Sequence, residues 1–593
     1  MNIPKLRPTA AGRQMVDTFG GYNHNLRIGD GEFYDMENLS SDHYPVLSPR
    51  KQRGVYASPG SCTGMIAKDA LCYTDGTKFV INGYPVEMGL NDEEKQLIGM
   101  GAYVIILPDR KYINTEDLTD WGEIDAKITT RDPVTFSLCR QDGTVYDVTY
   151  TQAAEPENPE NMCVWLDTAQ SPASLKQWSQ ASGMWASITS TYVRMECTGI
   201  GKAFKQYDGI RLSGLAGVDL IDADTGEIFL SAELEALNGS FVAEQVAEDY
   251  IVVTGLISQT SRVTNSITID RSMPKMNYVV EAQNRLWGCY YGLNEDGTQV
   301  LNEIYCSKLG DFKNWNCFRG VATDSWVSSV GSDGAFTGAI AHMGHPLFFK
   351  EGMLHKVFIS PAGAHQIDST ACWGVQEGSH SSLALVGSTL FYKSQRGVCA
   401  YDGSLPTDVS QALGGVFYRN ARGGVDGNKY YICMEDETGK PHVFVLDTAR
   451  NMWHREDGAD MKSFCACRGE LYFLDGTDGR IKTVSGTGEK DTTPIRWSAQ
   501  TGILGLRDPD MKYIAAITMR MMLPVGSQLS CYAEYDSSGR WEPLFTVNGC
   551  GTRSFSLPVR LTRCDHFRLR MQGVGDFRLF SRTDTIKQGS DVR

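Results

Sequence analysis

The sequence predicts a mainly β protein: a β-propeller that is interrupted by an inserted β-rich domain and followed by a C-terminal β-sandwich-like domain. Short alternating apolar strands joined by Gly or Asp turns recur at residues 284–291, 346–357, 389–403, 429–433 and 470–476. The last three of these units begin roughly 40 residues apart, about the length of one four-stranded propeller blade. The 61 glycines and 26 tyrosines also favour strands joined by tight turns over helices.

The blade pattern is interrupted once along the chain. With 593 residues the chain is too long for one hydrophobic core, so several domains are expected. Blade-like strands occur at residues 61–130, whereas residues 131–270 carry different β patterns and short helical stretches near 173–182 and 231–236. Because the blade pattern returns at residues 271–490, we expect one propeller with an inserted domain.

The C-terminal segment, residues 491–593, has a different character. Segments at 511–520, 529–535, 553–557 and 566–571 alternate in the manner of strands from an antiparallel sandwich. This segment is therefore predicted to form a separate β-sandwich-like domain.

Residues 1–60 are predicted to form an extended N-terminal arm, because Pro and Gly interrupt every regular period. The arm has no core of its own, yet it contains five aromatic residues, namely Phe19, Tyr22, Phe33, Tyr34 and Tyr44. Either the chain's own propeller or a neighbouring subunit must cover these rings. We expect a subunit contact, since several aromatic anchors could fix a contact that repeats around a ring of identical chains.

The net charge of −15 is distributed unevenly along the chain. Residues 131–270 contain 19 Asp or Glu against 8 Lys or Arg, whereas residues 494–593 contain 14 basic residues against 9 acidic ones. An acidic middle segment is a poor surface for gripping nucleic acid, because phosphate binding needs clustered Lys and Arg. A solvated surface that confers solubility is an equally good interpretation of this charge.

The chain carries no sign of secretion or membrane insertion. Its start lacks the apolar core of a signal peptide, and no run of 18 apolar residues predicts a membrane span. The 16 cysteines are scattered, and several occupy strand positions beside aromatic residues, where Cys acts as a small hydrophobe. We therefore expect reduced thiols and folding in a cytoplasm.

No catalytic residue, cofactor site or metal site is predicted, and the chain is not expected to be an enzyme. Propeller glycosidases need paired carboxylates, and the Ser-x-Asp-x-Gly-x-x-Trp turn of the sialidases does not occur. Nucleotide-binding and hydrolase fingerprints are also missing from the sequence. His342, His345 and His355 lie close together in sequence, but loop histidines at a propeller rim are more often structural than metal-ligating.

Several sequence strings together resemble one protein family. The arm contains GGYN at residues 20–23, GEFYDMENL at 31–39 and PVLSPRKQRG at 45–54. The order NRLW, SKLGDFKNW, FKE and SQRGVCAYDG follows between residues 284 and 403. This succession is similar to that of the tail nozzle (tubular) and related tail-adaptor proteins of tailed bacteriophages.

The resemblance implies a non-enzymatic structural protein of the virion. Such proteins form closed, usually six-fold rings in the tail or neck, around the conduit through which DNA is ejected. The implied partners are further copies of this chain, the neighbouring tail, adaptor and portal proteins, and phage DNA in transit without sequence-specific binding. The implied location is the virion, assembled in the cytoplasm of the host bacterium. A neutral or acidic lumen would suit this role, since a basic lining would retain DNA.

Two other interpretations remain open at this stage. A β-propeller that binds or hydrolyses glycans as a receptor-binding tail component is the main alternative. A bacterial propeller scaffold unrelated to phages is the other.

Overall fold

The structure, a computed structural model, describes residues 11–215, 220–222, 228–229, 232–294, 296–490, 493–506, 511–549, 551–559 and 562–588. The described chain is almost entirely β and confirms the predicted fold class: a propeller, an inserted β-rich domain and a β-sandwich. No helix in these described ranges is long and apolar enough to cross a membrane. The part of the predicted arm at residues 1–10 lies outside the described residues.

Seven antiparallel sheets form the propeller, and we number them as blades in chain order. Blades 1 and 2 precede the insert and blades 3 to 7 follow it. The strands of blade 1 are Met65–Ala67, Leu71–Asp75, Lys78–Ile81 and Tyr84–Glu87. The strands of blade 2 are Gln96–Met100, Tyr103–Leu107, Lys111–Asn114 and Trp121–Glu123. The strands of blade 3 are Tyr278–Glu281, Leu286–Leu293, Val300–Cys306 and Trp326–Ser329. The strands of blade 4 are Gly338–His342, His345–Lys350, Met353–Phe358 and Gln366–Ala371. The strands of blade 5 are Ala384–Val386, Thr389–Lys393, Val398–Tyr401 and Thr407–Asp408. The strands of blade 6 are Arg419–Asp426, Lys429–Glu435, Pro441–Asp447 and Met452–Arg455. Blade 7 has five strands, which are Met461–Cys467, Glu470–Asp475, Ile481–Thr483, Gly54–Ala57 and Glu489–Lys490. Short 3-10 helices occur at His380–Ser382 and Gln411–Leu413.

The propeller core consists of apolar layers between successive blades. Phe349 of blade 4 packs in one such layer with Tyr392 of blade 5. Leu71 of blade 1 shares another layer with Ile481 of blade 7, so the ring is closed between its first and last blades. Type I′ geometry forms several of the hairpins, as at Met343-Gly344, where φ is +49° and +78°.

The ring is closed by a strand from the predicted arm. Gly54–Ala57 pairs antiparallel with Ile481–Thr483 of blade 7, with Gly54 opposite Thr483. The arm prediction was therefore wrong for this segment, which is a propeller strand. A side chain at position 54 would not fit, because a Cβ atom there would lie 2.2 Å from the carbonyl oxygen of Thr487.

The insert lies between the last strand of blade 2 and the first strand of blade 3. Two of its sheets are four-stranded. The first contains Ala126–Thr129, Thr268–Arg271, Gly209–Ser213 and Gly239–Val242. The second contains Val148–Gln152, Val164–Asp167, Ser174–Ser179 and Met184–Ser187. A seven-stranded sheet contains Ile228–Phe229, Leu220–Asp222, Ser261–Val263, Val134–Cys139, Tyr192–Glu196, Tyr250–Thr254 and Gln245–Ala247. Ala232–Glu235 is a one-turn helix, but the helix predicted near residues 173–182 is wrong. Strand Ser174–Ser179 forms there instead, because it is paired on both sides.

The sandwich combines the arm with the C-terminal segment. Its four-stranded sheet contains Ala11–Val16, Arg578–Gln588, Lys512–Leu523 and Gly551–Pro558. Its six-stranded sheet contains Gly21–Tyr22, Glu32–Glu37, Arg496–Thr501, Phe567–Val574, Gln528–Tyr535 and Trp541–Asn548, and a small pair is formed by Leu39–Ser40 and Ser48–Pro49. Most of the described arm is therefore part of the sandwich, and the arm and C-terminal residues share one apolar core with blade 6.

The cysteines are free thiols throughout the described ranges, and most are buried. Burial raises the pKa of Cys317 and of Cys433 to about 11, so these thiols remain protonated and neutral near pH 7. Cys433 acts as a small apolar residue in the layer between blades 6 and 7.

Candidate functional site

The string NRLW forms a clamp inside blade 3. Arg285 is buried and donates hydrogen bonds to the carbonyl oxygens of Ser307, Asp324 and Ala322, at 2.9, 2.6 and 2.7 Å. Trp287 of the same string is completely buried. Because one guanidinium holds three carbonyl groups, the long loop at residues 307–325 is fixed against its blade.

The string SKLGDFKNW, in that loop, attaches the insert to the propeller. Asn314 is fully buried, and its side-chain amide donates to the carbonyl oxygen of Tyr207 at 2.7 Å. Its side-chain oxygen accepts a hydrogen bond from the backbone N–H of Gly209 at 3.0 Å. Nearby, Arg319 forms an ion pair with Glu244 of the insert at 3.3 Å. This string therefore joins the insert to the loop of blade 3, a contact that the alternating strand pattern does not predict.

A buried ion pair supports the base of the insert. Arg271 pairs with Asp208 and also donates to the carbonyl oxygen of Ile124 at 3.2 Å. Burial raises the pKa of Asp208, although the neighbouring Arg271 opposes that change. Arg271 thus ties the last strand of the insert to the segment that leads into Gly209 and to Ile124, just before the first strand of the insert.

The string PVLSPRKQRG at residues 45–54 forms the junction between the sandwich and blades 6 and 7. Arg53 pairs with Glu456 and with Asp457, both at 2.8 Å, and Arg50 pairs with Asp457 at 3.0 Å. Arg50 also donates to the side-chain oxygen of Asn38 at 2.7 Å. Burial would raise the pKa of Asp457, but Arg53 and Arg50 hold it below its ordinary value. These arginines act as structural cross-links.

The string SQRGVCAYDG forms a tight turn in blade 5. The hydroxyl of Ser394 donates to the carbonyl oxygen of Gly397 at 2.9 Å and accepts the backbone N–H of Gly397 at 3.2 Å. A side chain at position 397 would place a Cβ atom 2.1 Å from the hydroxyl oxygen of Ser410. The residues of these four strings are therefore scaffold residues.

The five arm aromatics, predicted as a subunit contact, are distributed differently. Phe19, Tyr22 and Phe33 are buried within their own chain; for example, the ring centroid of Tyr22 lies 5.6 Å from that of Phe444 in blade 6. The expected subunit contact is therefore corrected for these three residues, whose rings are covered by their own chain. Tyr34 is half-buried beneath His24, and Tyr44 is 38% exposed with the guanidinium of Arg450 over its ring.

A cavity of about 790 Å³ lies at the centre of the propeller, where strands of five blades meet the His380–Ser382 helix. Its lining includes Glu94, Lys95, Tyr278 and His380. Lys95 is buried and pairs with Asp109 at 2.7 Å, and the ring of His380 lies 5.2 Å from that of Tyr278. Burial lowers the pKa of His380 and, with Cys289, Glu377 and Glu94, raises that of Tyr278 to about 12.

Sequence reasoning missed this cavity, although the charged string NDEEK at residues 91–95 directly precedes a blade strand. Among the lining residues that the structure describes, Glu94 is the one carboxylate. The common glycosidase mechanisms use two carboxylates on either side of the scissile bond. The described lining therefore supplies one of the two groups that such a reaction needs.

Two of the three histidines singled out in the sequence, His342 and His355, are held by ordinary hydrogen bonds. The side chain of His355 lies between the hydroxyls of Ser332 and Ser369, at 2.8 Å from each, and His342 lies 2.8 Å from the carbonyl oxygen of Ser388. Within the described ranges, no group of three or more His, Cys, Asp or Glu side chains could hold a metal ion.

The chain is similar to several solved structures, each at low sequence identity. No family model matches it, and no curated protein sequence matches it. PorZ, a surface component of the type-IX secretion system of Porphyromonas gingivalis, is similar at 11% identity and TM-score 0.26, over 88% of this chain and 77% of PorZ. A putative 6-phosphogluconolactonase from Bacteroides uniformis is similar at 10% identity and TM-score 0.24, over 72% and 100% of the two chains. A family 43 arabinoxylan arabinofuranohydrolase from Bacillus subtilis is similar at 8% identity and TM-score 0.14, over 53% and 95%. Because all three TM-scores are below 0.5, no functional conclusion is drawn from these similarities.

Proposed function

We propose that this protein is a structural component of the bacteriophage virion, a nozzle-type ring protein of the tail or neck that forms part of the conduit for DNA ejection. One observation carries the proposal: the strings that resemble the phage family occur in the family's order between residues 284 and 403. Arg285 and Asn314, in two of these strings, make buried contacts that hold a long loop and the insert to blade 3. These two residues maintain the fold, and the resemblance to the phage family implies a shared fold.

The composition of the central cavity differs from that of the common glycosidase centres. Its described lining has one carboxylate, Glu94, and the neighbouring Lys95 is occupied by its ion pair with Asp109. The common glycosidase mechanisms need a second carboxylate on the other side of the scissile bond. The described lining therefore does not match a two-carboxylate glycosidase centre.

The charge of the insert supports a place beside DNA in transit. Between residues 141 and 175 the chain has six acidic residues and no Lys or Arg. Asp142, Asp147, Glu155, Glu157 and Glu160 of this stretch are exposed. An acidic surface repels the phosphate backbone, so DNA would pass such a surface without being retained.

The proposed assembly is a homo-oligomeric ring, six-fold by analogy with the family. Tyr34 and Tyr44 remain candidates for the subunit contact, because their rings are partly accessible in the single chain. In a ring of identical subunits, one such contact repeats at every interface.

Genetic complementation tests this function. A nonsense mutation in the gene should give a lysate in which particles are incomplete at the tail or neck, as seen by electron microscopy. Wild-type protein supplied in trans should restore complete, infectious particles, and Glu94→Gln should restore them equally because no carboxylate chemistry is needed. Complete particles without the protein, or failure of Glu94→Gln alone at normal protein levels, would contradict the proposal.

A further inference from the structure

A polar groove lies on the outer face of the six-stranded sandwich sheet. The cavity there measures about 430 Å³ and is lined by strands at residues 32–37, 496–501, 528–535 and 567–574. This volume falls within the range of about 300–1,000 Å³ that is usual for small-ligand clefts.

The strand register places a row of polar side chains across this sheet. Glu37 is opposite Ser498, Ser498 is opposite Gln572, Gln572 is opposite Ser530, and Ser530 is opposite Thr546. Residues opposite each other in a sheet share a face, and neighbouring strands lie about 4.8 Å apart. The row therefore presents a polar group at each step across five strands.

Most of these groups have unused hydrogen-bonding capacity. Within the described residues, the side chains of Glu37, Ser498, Tyr532 and Gln572 have no hydrogen-bond or ion-pair partner, and neither does that of Arg496 at one end of the groove. Gln572 and Arg496 are exposed, whereas Glu37, Ser498 and Tyr532 are half-buried. Donors and acceptors thus converge on one groove without satisfying each other.

The neighbouring row is held rigid. Arg570 lies opposite Tyr532, and its guanidinium lies 3.9 Å from the ring centroid of Trp541. The same guanidinium donates to the side-chain oxygen of Gln500 at 2.8 Å. This stack fixes one side of the groove, so less conformational entropy would be lost when a ligand binds.

We propose that this groove binds a neutral oligosaccharide. Its charges cancel, with one carboxylate on Glu37 and one guanidinium on Arg496, and the other polar lining groups are amides and hydroxyls. A sugar hydroxyl both donates and accepts hydrogen bonds, so it matches this mixture, and the Tyr532 ring offers an apolar surface to the C–H face of a sugar.

The same chemistry disfavours other ligand classes. A phosphorylated ligand would meet Glu37 in the same groove, and anion sites use clustered cations. An apolar ligand would leave the polar lining unsatisfied, which is costly. The proposal is independent of the virion assignment, since it concerns the sandwich alone.

A binding experiment on the full-length protein tests this site. The probes are an array of neutral hexose oligosaccharides and a matched set of anionic oligosaccharides that carry uronic acid or phosphate, followed by calorimetry on any neutral oligosaccharide retained. Gln572→Ala and Tyr532→Ala should each weaken binding by about tenfold or more, as expected for loss of a ligand hydrogen bond or a stacked ring. The control Gln299→Ala, an exposed residue of blade 3 distant in sequence from the groove, should bind as the wild type does.

Three results would overturn the proposal. They are binding of anionic oligosaccharides only, neutral binding that both groove variants retain, and no oligosaccharide binding at all. Glu94→Gln locates the site further, because loss of binding in that variant alone would assign the glycan to the central propeller cavity. Each variant is first checked for an unchanged melting temperature, so that a folding defect is not read as lost binding. Particle assembly does not enter this test, so the virion assignment stands or fails separately.

Discussion

The side-chain amide of Asn314 in blade 3 donates a hydrogen bond to the carbonyl oxygen of Tyr207 in the insert at 2.7 Å. The same side chain accepts the backbone N–H of Gly209 at 3.0 Å, and it is completely buried. One amide therefore satisfies two backbone groups of a distant segment. This contact fixes the insert relative to the propeller, and with it the acidic surface that we place beside DNA.

We predict that Asn314→Ala destabilises the protein by about 1–3 kcal/mol, because it leaves the buried backbone N–H of Gly209 without a partner. It also removes the shorter of two hydrogen bonds to the carbonyl oxygen of Tyr207, the other being donated by Lys308 at 3.3 Å. Chemical denaturation followed by tryptophan fluorescence measures this change. The control is Asn265→Ala, an exposed asparagine whose side chain has no partner in the described chain, and it should leave stability unchanged. Equal effects of the two substitutions would show that the contact does not stabilise the fold.

Gly209 offers a second test of the same junction. A Cβ atom at this position would lie 2.3 Å from the backbone carbonyl carbon and oxygen of Asn316. Gly209→Ala should therefore force the insert and blade 3 apart, and limited proteolysis should cut between them sooner than in the wild type. An unchanged digestion pattern would contradict the close approach.

Arg285→Lys should loosen the loop at residues 307–325 without unfolding blade 3. A lysine keeps the charge but cannot reach three carbonyl oxygens in the planar geometry of a guanidinium. Hydrogen exchange followed by mass spectrometry should show faster exchange in this loop and little change in blade 6. Uniformly faster exchange across all blades would instead mean that Arg285 stabilises the whole propeller.

The arm gives a matched pair of substitutions. Phe33→Ala removes a fully buried ring from the sandwich core, and we expect a loss of about 3–5 kcal/mol in the stability of the isolated chain. Tyr44→Ala removes a ring that is 38% exposed, so it should leave chain stability nearly unchanged and weaken ring assembly, measured by native mass spectrometry. Two results would contradict this division of roles. One is that both variants still assemble into rings, and the other is that Phe33→Ala loses ring assembly although its stability is unchanged.

The buried histidine His355 predicts a pH dependence of stability. Burial and the nearby Lys350 lower its pKa to about 4, against about 6.5 in an unfolded chain. Between these two values the unfolded state binds more protons, so stability falls as the pH is lowered from about 6.5 to about 4. Urea denaturation across this window should show a weaker pH dependence in His355→Gln than in the wild type, and identical slopes would contradict the assignment.

The sequence predicted the features that depend on neighbouring residues. Blade hairpins such as the one at Met343-Gly344 follow from alternating strands and positive-φ turns, which are local. Pairings between distant segments could not be predicted in this way. Gly54 meets Thr483 in the closing strand, and Phe33 enters a core built largely from residues after 496, because each packs on chain far away in sequence. The central cavity and the polar groove could not be predicted for the same reason, because their lining residues come from elements that are far apart in sequence.

The central claim is that this protein is part of the phage particle. The most direct measurement is quantitative mass spectrometry of density-purified particles from the strain that carries the gene, with immunogold labelling of the same particles. We expect the protein in stoichiometric amounts with the other structural proteins, and gold at the tail or neck. Its absence from purified particles, with the protein abundant in the same lysate, would contradict the claim.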